Sequence, residues 1–264
     1  MTGRRPSSLV ALTRPVSASI ADCELTHLDR SPIDLDLARA QHTAYEDLLA
    51  ALGCEVHHLV AADDLPDAVF VEDIAVVTPE LAVLTRPGAA SRRPEIPSVR
   101  EALAPFRPLA DLTAPATLDG GDVLQAGSRL FVGLSSRTNQ AGIDQLAALL
   151  APQSIAVIPV HTPRCLHLKS AISLVCTDTL LINPDWVDPS AFADFALIEI
   201  HSSEPCAANA LQVGTSVFVD AAHPLTAARL ASHGLDLYTI SLSELAKAEG
   251  GVTCSSLVFL QRPE

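Results

Sequence analysis

The sequence predicts an α/β protein built as a ring of five repeated strand–strand–helix–strand units. The first observation is that five polar residues lie at or near the starts of short apolar stretches: Asp73, Asp119, His167, Asn209 and Cys254. The second is their spacing of 46, 48, 42 and 45 residues. A period this constant is typical of repeated supersecondary units. We therefore expect these side chains to converge near one axis.

The third observation concerns the two ends of the chain. The last strand has no partner after it, and the strand at 9–13 has the character of the partner that is missing. Pairing the terminal strands closes the ring and protects its edges, as propeller-like folds require. The competing architecture is a doubly wound sheet, but no G-x-G-x-x-G motif follows the first strand.

The strand predictions rest on short β-branched or apolar runs bounded by turn residues. In chain order they are 9–13, 55–60, 70–77, 81–86, 122–125, 130–134, 155–160, 172–175, 180–182, 196–200, 211–213, 217–219, 237–240 and the run that Cys254 opens. Apolar residues at helical spacing predict helices at 37–52, 99–103, 143–150, 191–195 and 226–233. We expect Asp36 to cap the first helix and Gly53 to end it.

Composition limits the class of protein. With 264 residues, 48 % of them hydrophobic, the chain can form one substantial core, and we predict a single catalytic domain over 1–264. Its longest apolar runs are too short to cross a membrane. The net charge of −14 disfavours nucleic acid and anionic membrane as partners and is compatible with a cationic substrate. Six cysteines without a C-x-x-C pair or zinc-ligand spacing indicate free thiols and a cytoplasmic location.

Three of the converging residues have the chemistry of a nucleophile, a general acid/base and its orienting acid. A thiolate at Cys254 attacks carbon electrophiles, and an imidazole at His167 transfers protons. A carboxylate at Asp119 orients the imidazole and stabilises its charged form. Each residue also has a structural alternative: a buried cysteine, a core histidine and a turn aspartate.

Two further pairs fit the two ends of an arginine-like amino acid. Burial of Glu72 and Asp73 is costly without a cation, and a guanidinium supplies both charge and paired donors. Arg92 and Arg137 follow the second strands of neighbouring units at equivalent places. Such a pair fits a carboxylate, although a solvated surface is the ordinary place of a loop arginine.

These residues belong to a set of stretches that together resemble one family. The stretches are FVED at 70–73, TRPGA at 85–89, SRR at 91–93, LDGGDVL at 118–124, FVGLS at 131–135, RTNQ at 137–140, LHLKS at 166–170, AAN at 207–209 and TCS at 253–255. They resemble the dimethylarginine dimethylaminohydrolases of the guanidine-modifying superfamily, from about residue 66 to the end of the chain. The resemblance implies a five-bladed α/β propeller that hydrolyses N-omega-methylated arginines to citrulline and a methylamine.

The resemblance also implies roles for single residues. Cys254 is similar to the nucleophile and His167 to the general acid/base, with Asp119 supporting the histidine. Asp67, Glu72 and Asp73 resemble the acids around the guanidinium, and Arg92 and Arg137 the residues that hold the amino-acid end. Ala248 matches a backbone contact to substrate where a larger aliphatic residue is familiar. The loop at 22–27 is expected to be the active-site lid.

The implied mechanism is covalent, through a thiouronium on Cys254, and needs no cofactor. Zinc is expected, if at all, as an inhibitor at Cys254 and His167 rather than as a catalytic metal. The partner is a small methylarginine substrate, and a monomer and a homodimer are both compatible with the sequence.

Four alternative functions stay open at this point. An arginine deiminase or an amidinotransferase shares the same chemistry, although the former usually carries an extra helical insertion for which this chain has no room. An agmatine deiminase has no need of the arginine pair. A non-catalytic binding protein for cationic amino acids has no need of Cys254 and His167.

Overall fold

The computed structural model describes residues 8–261, so the first seven and last three residues of the predicted domain lie outside the described part. Its strands are β1 Leu9–Thr13, β2 Cys54–His58, β3 Ala75–Val77, β4 Ala82–Leu84, β5 Leu109–Asp111, β6 Val123–Ala126, β7 Arg129–Leu134, β8 Ala156–His161, β9 Ile172–Cys176, β10 Thr179–Ile182, β11 Ala196–Glu199, β12 Ala210–Val213, β13 Ser216–Asp220, β14 Asp236–Ile240 and β15 Leu257–Leu260. Its α-helices are α1 Leu35–Ala51, α2 Ile96–Leu103, α3 Gln140–Leu150, α4 Leu168–Ala171, α5 Pro224–Ser232 and α6 Ser243–Ala246.

The strands form five separate three-stranded sheets, and not one open doubly wound sheet. Four sheets come from consecutive strands: β3–β4–β5, β6–β7–β8, β9–β10–β11 and β12–β13–β14. In each, the first two strands pair antiparallel and the last two parallel. The spacing of the polar residues predicted a repeated unit, and the order of the strands in these four sheets confirms it.

The fifth sheet joins the two ends of the described chain. β15 pairs antiparallel with β1, with Leu9 opposite Leu260 and Leu12 opposite Leu257, and β1 pairs parallel with β2. The predicted pairing of the terminal strands is confirmed. The first strands of all five sheets (β3, β6, β9, β12 and β15) line one cavity of about 250 Å³.

The helices pack their apolar faces against these sheets. α1 buries Ala38, Tyr45 and Leu49 completely, which offsets the conformational entropy of ordering the helix. Asp34 caps it by accepting the N–H of Leu37 at 3.0 Å, so the expected cap at Asp36 is wrong by two residues. Gly53 follows the helix with a φ of +89°, a conformation that glycine adopts without strain.

One-turn helices that the sequence did not predict precede three of the first strands. A 3-10 helix at Val71–Ile74 precedes β3, another at Gly120–Asp122 precedes β6, and α4 precedes β9. The predicted strand at 70–77 is therefore wrong over its first half. Likewise Cys254 does not open a strand, because it lies in a turn and β15 begins only at Leu257.

Among the helices of residues 8–261, none combines the length and the hydropathy that crossing a bilayer needs. The longest, α1, has 17 residues and carries several charged side chains.

Candidate active site

Cys254 is held in a tight turn between α6 and β15. The backbone N–H of Gly251 donates to its Sγ at 3.3 Å. Tyr45 of α1 fixes the same turn, because its hydroxyl donates to the carbonyl of Val252 at 2.8 Å. Burial, together with the carboxylates of Glu72 and Asp73, raises the pKa of the Cys254 thiol to about 12. In the ligand-free protein the sulfur is therefore a thiol at neutral pH.

His167 lies immediately before α4 with a carboxylate near each ring nitrogen. Its Nε2 is 3.1 Å from Oδ2 of Asp119, and its Nδ1 is 3.8 Å from Oδ1 of Asp73. Burial opposes a charge on the imidazole, but the fields of Asp73 and Asp122 and the hydrogen bond to Asp119 outweigh it and raise the pKa of His167 to about 9. The ring is thus an imidazolium at neutral pH, ready to donate a proton.

Gly121 allows these groups to approach one another. A Cβ at this position would lie 2.6 Å from Nδ1 of His167 and 2.7 Å from Oδ1 of Asp73. Its backbone N–H donates to the same Asp73 oxygen at 2.9 Å. The close backbone approach expected of the glycine pair after Asp119 is therefore observed, and any larger residue would separate His167 from Asp73.

Arg92 is buried in a cluster of carboxylates. Its guanidinium donates to both oxygens of Glu95, at 3.0 and 2.9 Å, and is ion-paired with Asp73. Burial opposes the charge on Arg92, but Glu95 and Asp73 outweigh it and raise its pKa. Burial raises the pKa of Asp73, while His167 and Arg92 lower it by more. Because most of its N–H groups are committed to protein acceptors, Arg92 mainly neutralises the buried carboxylates of Glu95 and Asp73.

Glu72 lies next to the cysteine turn and has a different partner. It is ion-paired with Lys169, and the hydroxyl of Thr253 donates to its Oε2 at 2.7 Å. Its backbone N–H donates to the carbonyl of Cys254 at 3.2 Å. Burial raises the pKa of Glu72, and Lys169 opposes that rise. Glu72 therefore connects the cysteine turn to the helix that follows His167.

The loop that contains residues 22–27 lies over this cluster. Oδ2 of Asp67 accepts the N–H of Glu24 at 3.1 Å, and Arg137 donates to the hydroxyl of Thr26 at 3.0 Å. Glu249, which has a left-handed backbone with a φ of 60°, accepts the N–H groups of Thr26 at 3.0 Å and Leu28 at 2.7 Å. Three separate chain segments thus hold the loop in a closed position.

Cys254 and His167 line two cavities. The smaller has a volume of about 30 Å³ and is also lined by six of the predicted site residues: Asp67, Asp73, Arg92, Asp119, Arg137 and Ala248. The larger has a volume of about 330 Å³ and is also lined by Glu72, the ninth predicted site residue, and by Gly121. The structure therefore brings all nine predicted site residues to one locality. Asn209 lies there too, and its Oδ1 accepts the N–H of Thr253 at 3.1 Å.

Among residues 8–261, one group of potential metal ligands consists of Asp73, Asp119 and His167, whose ligand atoms lie within 4.8 Å of one another. A metal requires the neutral form of a histidine ligand. Because the pKa of His167 is raised to about 9 and Asp73 is paired with Arg92, protonation competes with metal binding at this cluster. Inhibition by zinc at Cys254 and His167 stays a prediction.

Three further residues support the site and were not predicted from the sequence: Lys169, Asp122 and Glu249. Asp122 is fully buried and accepts from Ser135 and Thr138, each at 2.6 Å. It also accepts the N–H of Leu168 at 2.9 Å, which fixes the backbone beside His167. Burial raises its pKa to about 6, against those hydrogen bonds and the charge of His167. The one available signal was its place in the same LDGGDVL stretch as Asp119.

Comparison with known proteins agrees with this geometry. A family model described as arginine deiminase matches residues 60–208. An N(G),N(G)-dimethylarginine dimethylaminohydrolase of Streptomyces coelicolor is 39 % identical over 94 % of this chain and 95 % of its own. The corresponding protein of Pseudomonas aeruginosa is 33 % identical over 93 % of this chain and 96 % of its own.

A solved structure gives the same result for the fold. It is a cysteine-to-serine mutant of the Pseudomonas aeruginosa enzyme complexed with citrulline, and it superposes with a TM-score of 0.91 over 94 % of this chain and 98 % of the other. The α/β fold of the present chain is therefore that of the dimethylarginine dimethylaminohydrolases. On the family model and these full-length relatives, the chain belongs to the arginine deiminase/dimethylarginine dimethylaminohydrolase family.

Proposed function

We propose that the protein hydrolyses N-omega-methylated arginines, dimethylarginine and monomethylarginine, to citrulline and a methylamine. The observation that carries the proposal is the position of Cys254 and His167 between two cavities, one of which is lined by buried acids and arginines. A thiol beside an imidazolium is suited to nucleophilic attack followed by protonation of a leaving group. The relative that is 39 % identical is named for this activity, and the match covers 95 % of its length.

Because the pKa of the Cys254 thiol is raised, the bound substrate must help to form the thiolate. Burial, and after it the carboxylates of Glu72 and Asp73, hold the sulfur in its neutral form. A guanidinium bound beside these carboxylates offsets their negative charge and lowers the thiol pKa, so the thiol proton passes to solvent. Nucleophile formation is thereby coupled to binding of a cation, which fits a substrate that carries its own positive charge.

The thiolate then adds to the guanidinium carbon. His167 donates its proton to the departing amine, the carbon–nitrogen bond breaks, and a thiouronium remains on Cys254. The now neutral His167 takes a proton from water, and the hydroxide adds to the same carbon. That proton transfer restores the imidazolium of His167. The carbon–sulfur bond then breaks, the sulfur leaves with the electron pair, and the added hydroxyl gives up its proton to it, which releases citrulline and regenerates the Cys254 thiol. Asp119 holds the imidazole in place throughout by its 3.1 Å contact.

The amino-acid end of the substrate is assigned to the region of the smaller cavity. Because about 30 Å³ holds no more than one water molecule, binding there requires the loop that contains residues 22–27 to move away. Arg137 faces this cavity, with its described hydrogen bond going to the closed loop, and it is the arginine that is better placed to take up the substrate carboxylate. Arg92 contributes mainly by holding Asp73. The backbone of Ala248, which lines the same cavity, is assigned a contact to the amino-acid end, and Asp67 a place near the guanidinium.

We further propose that the five sheets are the blades of a five-bladed α/β propeller, within a single catalytic domain. The cavity lined by the first strand of every sheet, and the β1–β15 pairing, support this arrangement. The cytoplasmic location and the absence of a cofactor remain predictions from the sequence.

The experiment that tests the function is a side-by-side assay of citrulline formation from dimethylarginine, monomethylarginine, arginine and agmatine. We expect turnover of the two methylated arginines. An arginine deiminase activity is the second candidate, since the matching family model carries that description. A protein that prefers unmethylated arginine would support this second candidate, and turnover of none of the four would contradict both.

A further inference from the structure

The two cavities beside Cys254 differ about tenfold in volume, about 330 Å³ against about 30 Å³. Asp67, Arg92, Arg137 and Ala248 line only the smaller one, whereas the larger one extends toward a different set of loops. Among the residues that line it are Leu166, Trp186, Cys206, Ala246 and Val252. We call this larger cavity the chamber.

The planar geometry of a guanidinium determines what faces the chamber. One of its three nitrogens is bonded to the amino-acid chain and therefore points toward the smaller cavity. The two omega nitrogens then point away from that cavity, past Cys254 and His167. Alkyl groups on the leaving nitrogen consequently extend into the chamber.

The chamber is much larger than dimethylamine requires. A water molecule occupies about 30 Å³ in the liquid, and dimethylamine has three non-hydrogen atoms. A volume of about 330 Å³ lies at the lower end of the range of small-molecule sites, roughly 300–1,000 Å³. Charged side chains such as Glu72 and Lys169 line part of its wall. The rest includes half-buried Trp186 and Leu166 and buried Val252, and this apolar part favours an apolar substituent.

We infer that the chamber is a leaving-group site that accepts N-omega,N-omega-dialkylarginines whose secondary amine is larger than dimethylamine, such as diethylamine or pyrrolidine. This inference rests on the proposed function. The carbon–nitrogen bond broken is the same, the proton on the amine comes from His167, and water supplies the oxygen of citrulline. The number of carbon atoms on the leaving nitrogen is therefore not limited to two.

The test measures kcat/KM for the dimethyl, diethyl and tetramethylene derivatives of arginine by citrulline release. A pocket fitted to two methyl groups discriminates by roughly 10- to 200-fold for each added methylene. An open chamber instead keeps kcat/KM for the larger substrates within about tenfold of the dimethyl value. If kcat/KM falls by more than this for both larger substrates while dimethylarginine is still hydrolysed, the inference about the chamber is wrong and the proposed function stands. If dimethylarginine itself gives no citrulline, the proposed function and the inference both fail.

A variant that narrows the chamber locates the alkyl groups. Cys206 lines the chamber and is exposed, so Cys206→Trp adds bulk there without disturbing the core. We expect the ratio of diethyl to dimethyl kcat/KM to fall at least about tenfold in this variant. The matched control is Val60→Trp, since Val60 is 80 % exposed and does not line either cavity. An unchanged ratio in Cys206→Trp would place the alkyl groups elsewhere and overturn the inference, whatever the wild-type series shows.

Discussion

The carboxylate of Asp119 lies 3.1 Å from Nε2 of His167, on the opposite side of the ring from Asp73, which is 3.8 Å from Nδ1. Both nitrogens of the imidazole therefore face negative charge within a buried cluster. This arrangement favours the doubly protonated ring. It makes His167 a proton donor first and a base only after the leaving group has departed.

A pH dependence of stability follows from this arrangement. The pKa of His167 is raised from 6.5 in the unfolded chain to about 9, so the folded protein binds the extra proton more tightly. The stabilisation is fully present below pH 6.5 and is lost as the pH rises to about 9, with an upper bound of about 3 kcal/mol. Urea unfolding of the wild type and His167→Asn across this range measures it. We expect the stability difference between them to shrink as the pH rises, and a constant difference would contradict the assignment.

Removing the charge of Asp119 changes the kinetics in a specific way. In Asp119→Asn the imidazolium loses one of its stabilising carboxylates, so its pKa falls and less of the acid form is present at alkaline pH. We expect kcat/KM to fall by roughly 10²–10⁴-fold and its alkaline limb to move to lower pH. A pH–rate profile distinguishes this from a purely structural effect, which would lower the rate without moving the limb.

Cys254→Ser tests the covalent step. Serine is a far weaker nucleophile in a site that lacks a free base, while the carboxylates that bind the cation are untouched. We expect turnover below about 1 % of wild type with substrate affinity largely retained, measured by citrulline release and by calorimetric titration. Substantial citrulline formation in this variant would exclude Cys254 as the nucleophile.

The repeated unit and the terminal strand pairing could be predicted because they depend on period and on local apolar runs. The one-turn helices before β3, β6 and β9 could not, since three or four residues show no helical periodicity. β5 was missed for a similar reason, because it has three residues and only two of them are apolar.

The site residues were predictable where they followed the period and invisible where they depend on distant partners. Lys169 contacts Glu72, which lies 97 positions away in the sequence, and Glu249 contacts Thr26, which lies 223 positions away. No pattern in a single sequence encodes such a pair. Arg92 and Arg137 occupied equivalent places in the repeat, yet one is 5 % exposed among acids and the other is half-buried beside the loop.

This difference between the two arginines gives a paired prediction. Arg92→Ala leaves Asp73 and Glu95 buried without their cation, so the free energy of unfolding should fall by about 3–5 kcal/mol. Arg137→Ala should change stability little. It should instead lower kcat/KM for dimethylarginine by an amount equivalent to about 2–5 kcal/mol, with a much smaller loss for agmatine or a methylguanidine, which lack the carboxylate.

Urea unfolding and kcat/KM on both substrate types check the paired prediction. Equal kinetic losses for Arg137→Ala with and without the substrate carboxylate would mean that Arg137 is structural. An unfolding free energy that is unchanged in Arg92→Ala would mean that the buried acids do not depend on that guanidinium.

Glu249 offers the test of the closed loop. Its carboxylate accepts backbone N–H groups of residues 26–28, and its φ of 60° is a conformation that costs a non-glycine residue about 1–2 kcal/mol. Glu249→Gly removes the carboxylate while keeping that backbone conformation available. We therefore expect faster hydrogen exchange at residues 26–28 and a higher KM, with the turn before Cys254 intact. Glu249→Ala removes the same carboxylate but keeps the strained φ. It should therefore show the same rate of loop exchange as Glu249→Gly, with a lower free energy of unfolding than that variant. If loop exchange in Glu249→Gly matches the wild type, the carboxylate does not hold the loop, and the remaining contacts from Asp67 and Arg137 must be sufficient to close it.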